Sequence, residues 1–109
     1  AEPEAVGHAR FALDYLEGHL PAGVVMPAEM KRTGAWVLAC ENRELDPWVV
    51  SDTGDHGLWQ ISRRWQEGRV LKMGYAWEQI YDPHVNTAVA IAIFNEQGLG
   101  PWSCRRAIP

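Results

Sequence analysis

Apolar residues recur every three or four positions near the start of the chain, which is the spacing of one face of an α-helix. This helix is predicted from about residue 4 to residue 19, and a proline and a glycine then stop it. Its apolar positions are Val6, Ala9, Leu13, Leu16 and Leu20. We therefore divide the chain into an N-terminal helix and linker, residues 1–26, and a main domain, residues 27–109.

A second helix is predicted to begin at Pro27, because proline suits the first helical position. It is predicted to end at Asp46, because the residue before a proline disfavours the helical conformation. Its inward-facing positions are Met30, Gly34, Val37, Leu38, Glu41 and Leu45. Glu41 therefore stands where an apolar residue is expected. A carboxyl group at such a position either has a neutralising partner or has a raised pKa.

A short β-hairpin is predicted after this helix, because β-branched and aromatic residues flank a run of turn-forming residues. The two strands are predicted at residues 48–51 and 57–61, with residues 52–55 as the turn. A hairpin of this size is only marginally stable alone, so we expect it to pack against the helices.

Three helical segments are predicted in the C-terminal half. A serine-capped helix that ends at a glycine is predicted over residues 62–68. A single helical turn follows at residues 76–81, and a long helix opened by Asp82 or Pro83 spans residues 85–97. Small alanines allow the long helix to pack closely on its neighbours. The predicted fold is therefore a small, mainly α (α+β) domain with a short β-hairpin and a central C-terminal helix.

The composition is that of an ordinary globular protein, with 47% hydrophobic and 22% charged residues in a chain of 109. The net charge of −4 argues against nucleic-acid binding, for which a basic face is expected. No apolar run approaches the roughly 18 residues that a membrane-spanning helix needs. The four histidines lack the spacing of metal ligands, so we predict no metal ion and no other cofactor. We expect a monomer.

The chain contains two cysteines, Cys40 and Cys104, so one intramolecular pairing is possible. A bridge would close a loop of about 65 residues and stabilise the fold by about 4 kcal/mol. It would also indicate an oxidising compartment outside the cytoplasm. The alternative is a pair of buried free thiols in a cytosolic protein, and the spacing does not fit a metal site.

Glu41 and Asp55 are two carboxylates that a helix followed by a hairpin could bring together. Cleavage of a glycosidic bond uses such a pair, with one carboxyl protonated and the other ionised. Glutamate in water has a pKa of about 4.3, so Glu41 must be shielded from water to keep its proton near neutral pH. Two alternatives are a solvated Glu41 paired with Arg43 or Arg63, and an Asp55 that binds its own turn backbone.

Six tryptophans are an unusual number for this length, and they stand at positions 36, 48, 59, 65, 77 and 102. We interpret most of them as core residues. Flat aromatic faces also suit sugar rings, so some are candidates for a saccharide groove.

Several short motifs together resemble the lysozyme-like superfamily. They are Ala39-Cys40-Glu41, Asp46-Pro47-Trp48-x-Val50-Ser51, Gly54-Asp55-His56-Gly57-Leu58-Trp59-Gln60-Ile61, Tyr81-Asp82-Pro83-x-x-Asn86 and Gly98-x-Gly100-Pro101-Trp102-Ser103. The chain looks most like the soluble-lytic-transglycosylase-like domains of actinobacterial cell-wall proteins and their phages, and it is also similar to resuscitation-promoting factors. The resemblance covers about residues 28–104, and the glutamate followed by Gly-Leu-x-Gln-Ile is its most specific part.

The resemblance implies an enzyme that cleaves the β-1,4 bond between N-acetylmuramic acid and N-acetylglucosamine in peptidoglycan, with Glu41 as general acid and base. It implies an extracytoplasmic protein, either secreted to the cell wall or part of a phage virion or endolysin. The residues implied to line the saccharide groove are Ser51, Trp59, Gln60, Tyr81, Asn86 and Trp102. The alternatives are that Ser51 is a hydrogen-bonding turn residue, that Asn86 is a polar residue at a helix start, and that Trp59 and Tyr81 are core residues. The alternative function is a catalytically weak peptidoglycan-binding or virion structural module, in which a strong ion pair would hold Glu41.

Two departures from the family pattern bear on the reaction. Asn42 replaces the serine that usually follows the catalytic glutamate. Asp55 is an acid at a turn where many transglycosylases have none, whereas animal-type lysozymes carry an aspartate in a similar turn. If Asp55 faces the groove, hydrolysis is favoured. If it binds its own backbone, Glu41 works alone. The substrate's N-acetyl group would then supply the nucleophile, and the muramyl 6-hydroxyl could displace it and release an anhydro sugar.

Overall fold

The computed structural model describes residues 2–109, which are mainly helical with a short two-stranded sheet. In chain order the elements are α1 (Glu4–Glu17), α2 (Ala28–Glu41), β1 (Asp55–His56), β2 (Ile61–Ser62), α3 (Arg63–Lys72), a 3-10 helix (Trp77–Tyr81), α4 (Pro83–Gln97) and a C-terminal 3-10 helix (Ser103–Ala107). The predicted fold class, mainly α with a short hairpin and a central C-terminal helix, is confirmed.

Helix α1 packs along α2 through its predicted apolar face. The buried positions of α1 are Val6, Ala9, Leu13 and Leu16. A β-carbon at Gly34 of α2 would lie 3.2 Å from both the Leu13 Cδ1 and the Trp59 Cη2 atoms. Glycine at this position therefore lets α1 and the hairpin approach the same face of α2 closely, and α1 joins the core of the main domain.

Helix α2 ends at Glu41, which is earlier than predicted. Asn42 leaves the helical conformation with φ −148° and ψ 75°. Its side chain binds the backbone of Asp46, accepting from the N–H at 3.0 Å and donating to the carbonyl oxygen at 2.8 Å. An asparagine side chain that binds local backbone competes with helix formation. Leu45, expected on the inward face of the helix, instead has a positive φ of 53°.

The hairpin is shifted relative to the prediction. Strand β1 pairs antiparallel with β2, and the segment predicted as the first strand contributes only an isolated bridge between Val50 and His56. The segment predicted as the return strand begins with a turn, because Gly57 and Gln60 have positive φ angles of 74° and 53°. A β-carbon at Gly57 would lie 2.5 Å from the Asn86 Nδ2 atom, so only glycine fits there.

Helix α3 continues past Gly68, where it was predicted to end, and reaches Lys72. A single glycine costs about 1 kcal/mol within a helix, which tertiary packing can offset. Val70 provides such packing, since its side chain is fully buried. Gly68 is therefore an interior residue of α3 and not its C-terminal cap.

Helix α4 forms the centre of the domain, as predicted. The Asp82 carboxylate accepts a hydrogen bond from the His84 N–H at 2.8 Å, and Pro83 occupies the first helical position. Gly98 ends the helix with a positive φ of 65°. The buried residues of α4 are Val85, Asn86, Thr87, Ala88, Val89, Ala90, Ile91 and Ile93.

Within residues 2–109, no helix has both the length and the apolar character needed to cross a membrane.

Candidate active site

The Glu41 carboxyl lies at the C-terminal end of α2, half-buried, where its Oε2 atom accepts a hydrogen bond from the backbone N–H of Cys104 at 3.3 Å. Burial raises the pKa of this carboxyl above its ordinary value, the Cys104 N–H opposes the rise, and the negative charge of Asp55 adds to it. A rise in pKa is the direction that a general acid for glycoside cleavage needs.

The predicted alternative for Glu41, an ion pair with an arginine, is not what forms. Arg63 instead binds Glu67 with an N–O distance of 3.0 Å. Among the residues that the structure describes, no ion pair includes Glu41. When Glu41 loses its proton, its carboxylate is therefore stabilised by a hydrogen bond from a backbone N–H and not by a cation.

Asp55 is held by the hydroxyl groups of its own turn. Its Oδ2 atom accepts hydrogen bonds from the Thr53 Oγ1 at 2.6 Å and the Ser51 Oγ at 3.0 Å. The Asp55 backbone N–H donates to the Ser51 Oγ at 3.1 Å and not to its own carboxylate. Two hydroxyl donors suit an ionised carboxylate, which can only accept hydrogen bonds.

A cavity of about 520 Å³ lies beside Asp55, within the size range of small-ligand sites. It is lined by residues of the hairpin, α3, α4 and the turn after α4: Asp55, Gln60, Ile61, Ser62, Trp65, Gln66, Ile93, Gln97, Gly100, Pro101 and Trp102. Glu41 is not one of the lining residues. Its carboxyl binds the backbone N–H of Cys104, two residues after the lining Trp102, and the charge of Asp55 acts on its pKa.

Asn42 joins the helix end that carries Glu41 to the hairpin that carries Asp55. Its Nδ2 donates to the carbonyl oxygens of Gly57 at 3.3 Å and Leu58 at 3.2 Å. Asn42 is 6% exposed, and its amide is the one donor to the Leu58 carbonyl oxygen among the described residues, whereas the Gly57 carbonyl oxygen also accepts from Gln60. The residue that departs from the family pattern thus fixes the spacing of the two carboxyl-bearing segments.

The predicted disulfide between Cys40 and Cys104 is confirmed, with the two Cα atoms 5.7 Å apart. It joins the residue before Glu41 to the residue whose N–H binds Glu41. Free thiols, the alternative, are therefore absent from the described part of the chain.

The sequence profile of the transglycosylase SLT domain family matches residues 29–99. The chain belongs to the transglycosylase SLT domain family. The matched segment contains the ends of α2 and of the hairpin, and therefore both Glu41 and Asp55. Searches of curated proteins and of solved structures gave no match. At the level of the SLT family, the function is lytic-transglycosylase-like cleavage of peptidoglycan, and the predicted lysozyme-like relationship is confirmed.

Two of the predicted groove residues line the cavity of this SLT domain, namely Gln60 and Trp102. The Gln60 Nε2 donates to the Gly57 carbonyl oxygen at 3.0 Å, which orients the rest of the amide. The Trp102 indole is 3% exposed and donates to the Trp59 carbonyl oxygen at 2.9 Å. Trp102 therefore lines the cavity with very little exposed surface.

Trp59 and Asn86 were predicted in the groove, and the structure places both in the core. Trp59 is 1% exposed and donates from Nε1 to the Thr87 Oγ1 at 3.2 Å. Asn86 has no exposed surface, and its amide binds the Trp59 N–H at 2.8 Å, the Ile80 carbonyl oxygen at 2.9 Å and the His56 carbonyl oxygen at 3.2 Å. Neither side chain can contact a sugar, because backbone groups and core neighbours already surround it.

Ser51 and Tyr81 lie near the site but do not line the cavity. Ser51 uses its hydroxyl on Asp55, as described above. The Tyr81 hydroxyl lies 2.9 Å from the His56 Nδ1, and its ring stacks on Trp48 at a centroid distance of 5.4 Å. Burial, followed by the charge of Arg63, lowers the pKa of His56, so the imidazole favours its neutral form. Direct contact of Ser51 and Tyr81 with substrate stays a prediction.

Trp65 is a cavity residue that the sequence reasoning missed. It stands on α3, is 73% exposed, and lies under the Arg64 guanidinium at 4.8 Å from the ring centroid. An exposed indole at a cavity suits stacking on a sugar ring. The available signal was its neighbourhood, since polar and charged residues surround it in the sequence, which is not the setting of a core tryptophan.

Residues 2–109 contain no group of three or more His, Cys, Asp or Glu side chains placed to hold a metal ion.

Proposed function

We propose that this SLT domain cleaves the β-1,4 bond between N-acetylmuramic acid and N-acetylglucosamine, with Glu41 as general acid and base and Asp55 as the second carboxylate. The observation that carries the proposal is the contrast between the two groups. Glu41 is half-buried with a raised pKa, and Asp55 lines the neighbouring cavity with hydroxyl donors on its carboxylate. Such pairs, with one acid protonated and one ionised, perform glycoside hydrolysis.

In the first step, protonated Glu41 gives its proton to the glycosidic oxygen as the bond from the N-acetylmuramic acid C1 atom to that oxygen breaks. The positive charge that develops at C1 is stabilised by the Asp55 carboxylate across the cavity. Glu41 is then ionised, and the Cys104 N–H donates a hydrogen bond to the new carboxylate.

In the second step, ionised Glu41 takes a proton from the water molecule that attacks C1, which restores its starting state. We propose water and not the muramyl 6-hydroxyl as the attacking group, a departure from the lytic-transglycosylase reaction of the family, because Asp55 lines the cavity and its backbone N–H binds Ser51 rather than its own carboxylate. The product then carries a free reducing end.

The alternative, a binding or structural module without activity, required a strong ion pair on Glu41. The absence of such a pair among residues 2–109 favours the enzyme. We further propose that the protein acts as a monomer on the glycan strand, outside the cytoplasm, where its disulfide would be stable.

Digestion of purified peptidoglycan by the wild type and by Glu41→Gln tests the proposal. The wild type should release soluble fragments with reducing ends, and Glu41→Gln should release them at least about 1,000-fold more slowly, because it has no proton to give. Mass spectrometry distinguishes the reactions, since transglycosylation gives products lighter by one water.

Wild-type turnover in a folded Glu41→Gln variant would refute the role of Glu41. Anhydro products from the wild type would retain Glu41 but refute the hydrolytic role of Asp55. Binding to cell walls without any soluble product would favour the binding module.

A further inference from the structure

The Glu41 carboxyl depends on a distant part of the chain for its hydrogen bond. The donor, the Cys104 N–H, is 63 residues away in sequence and 3.3 Å from the Glu41 Oε2. It is the one hydrogen bond to this carboxyl within the described residues. No part of α2 or of the hairpin supplies a replacement, so the position of the C-terminal segment decides whether the carboxyl has a donor.

The C-terminal segment is fixed in place at both sides of the donor. The Trp102 side chain is buried and donates to the Trp59 carbonyl oxygen at 2.9 Å. The Arg105 guanidinium donates to the carbonyl oxygens of Trp102 at 2.9 Å and of Gly100 at 3.4 Å. The disulfide adds a covalent link from Cys104 to Cys40, the residue directly before Glu41.

We propose that Cys104 is a positioning residue for Glu41: the Cys40–Cys104 bridge holds the Cys104 N–H against the catalytic carboxyl, so that turnover depends on the oxidised state of the protein. This inference rests on the proposed role of Glu41. Since Glu41 becomes negatively charged when it protonates the leaving oxygen, a donor held in place stabilises the charged form and fixes the orientation of the carboxyl.

Reduction of the bridge by a dithiol converts the disulfide to two thiols and the dithiol to its own cyclic disulfide, a transfer of two electrons and two protons. Trp102 and Arg105 would still hold the segment nearby, but without the covalent link the backbone at residue 104 can move away from Glu41. We expect the reduced, folded protein to lose roughly tenfold in kcat, the size of one lost hydrogen bond to a charged group, and to recover on reoxidation.

Two variants separate the bridge from the N–H. Cys40→Ala/Cys104→Ala removes the bridge and keeps the donor, whereas Cys40→Ala/Cys104→Pro removes both. Asp55 is the charged group that acts on Glu41 across the site, and it is unchanged in both variants. The Cys104 N–H lowers the pKa of Glu41, so both variants should show a higher Glu41 pKa than the wild type, the alanine variant because the N–H is no longer held in place and the proline variant because the N–H is absent.

The pKa of Glu41 is measured by carboxyl-carbon NMR titration of each variant, and the alkaline limb of the pH–rate profile should shift in the same direction. A purely structural bridge would lower thermal stability but leave the Glu41 titration of the alanine variant equal to that of the wild type, which would overturn the inference. Full activity of the reduced, folded wild type would also overturn it.

The NMR titration needs no turnover, so failure of the inference remains distinguishable from failure of the proposed function. If the proline variant does not fold, which circular dichroism would show, the same titration is made on the wild type before and after reduction. An unchanged Glu41 titration there counts against the inference, and a changed one supports it.

Discussion

Glu41 and Asp55 carry the same functional group, but they lie in different surroundings. Glu41 ends a helix, is half-buried, and takes its hydrogen bond from a residue 63 positions away. Asp55 takes its hydrogen bonds from Ser51 and Thr53, in the same turn. The protonation of Glu41 therefore depends on the tertiary structure, whereas the contacts of Asp55 are set by a short stretch of sequence. A pair of carboxyls can be given different roles in this way.

After the loss of Glu41 itself, the largest expected effect comes from removing the charge of Asp55. Asp55→Asn keeps the shape of the side chain but cannot stabilise a positive C1 atom, so kcat on peptidoglycan should fall by about 100-fold. Release of soluble fragments measures it. Asp52→Asn, an exposed acid in the same turn, is the matched control and should retain full activity. Equal rates in the two variants would mean that Glu41 acts alone.

The connection between the two regions can be broken at Asn42. Asn42→Ala leaves the buried Leu58 carbonyl oxygen without a donor and removes one of the donors to the Gly57 carbonyl oxygen, so the free energy of unfolding should fall by about 1–3 kcal/mol. Urea denaturation measures the loss. Asn95→Ala, at an exposed site on α4, should cost less than about 0.5 kcal/mol. Similar values for the two variants would show that Asn42 does not hold the helix end to the hairpin.

A smaller effect is expected from the hydroxyl groups around Asp55. Thr53→Val removes the shorter of the two hydrogen bonds to its carboxylate, and kcat should fall by roughly three- to tenfold because the carboxylate is less well oriented. Thr33→Val, whose hydroxyl binds the Glu29 carbonyl oxygen on α2, is the control. An unchanged rate in Thr53→Val would mean that Ser51 alone suffices to orient Asp55.

The smallest effect concerns stability and pH. Because burial raises the pKa of Glu41, the folded protein binds this proton more readily than the unfolded chain. The contribution of Glu41 to the free energy of unfolding therefore falls as the pH rises above 4.5, the ordinary pKa of the group. Glu41→Gln should therefore be more stable than the wild type at pH 7, by less than about 1 kcal/mol for a group this exposed. The difference should vanish below pH 4, in thermal melts across that range. A variant less stable than the wild type at pH 7 would contradict the raised pKa.

The sequence was most informative where a local pattern decides the structure. Three features can be read from short stretches of sequence. They are the position of Glu41 on the inward face of its helix, the single pairing open to Cys40 and Cys104, and the start of α4 at Asp82-Pro83. Each agrees with the structure.

The remaining features depend on contacts that sequence spacing does not encode. α2 stops at Glu41 because the Asn42 side chain binds the backbone of Asp46 and also that of the hairpin, 15 and 16 residues away. Trp59 and Asn86 belong to the core because each meets a partner on another element. Trp65 was missed because the number of tryptophans does not separate exposed ones from buried ones. The polar and charged residues beside Trp65 in the sequence are the signal that does.

The contacts of Asn86 also determine how this domain should open. Strands β1 and β2 contain two residues each, so their ladder offers little protection against hydrogen exchange. The Trp59 amide, in contrast, is bound by a buried side chain of the central helix. We expect it to exchange far more slowly than its hairpin neighbours, at a rate that reports separation of the hairpin from α4 and not the fraying of strands.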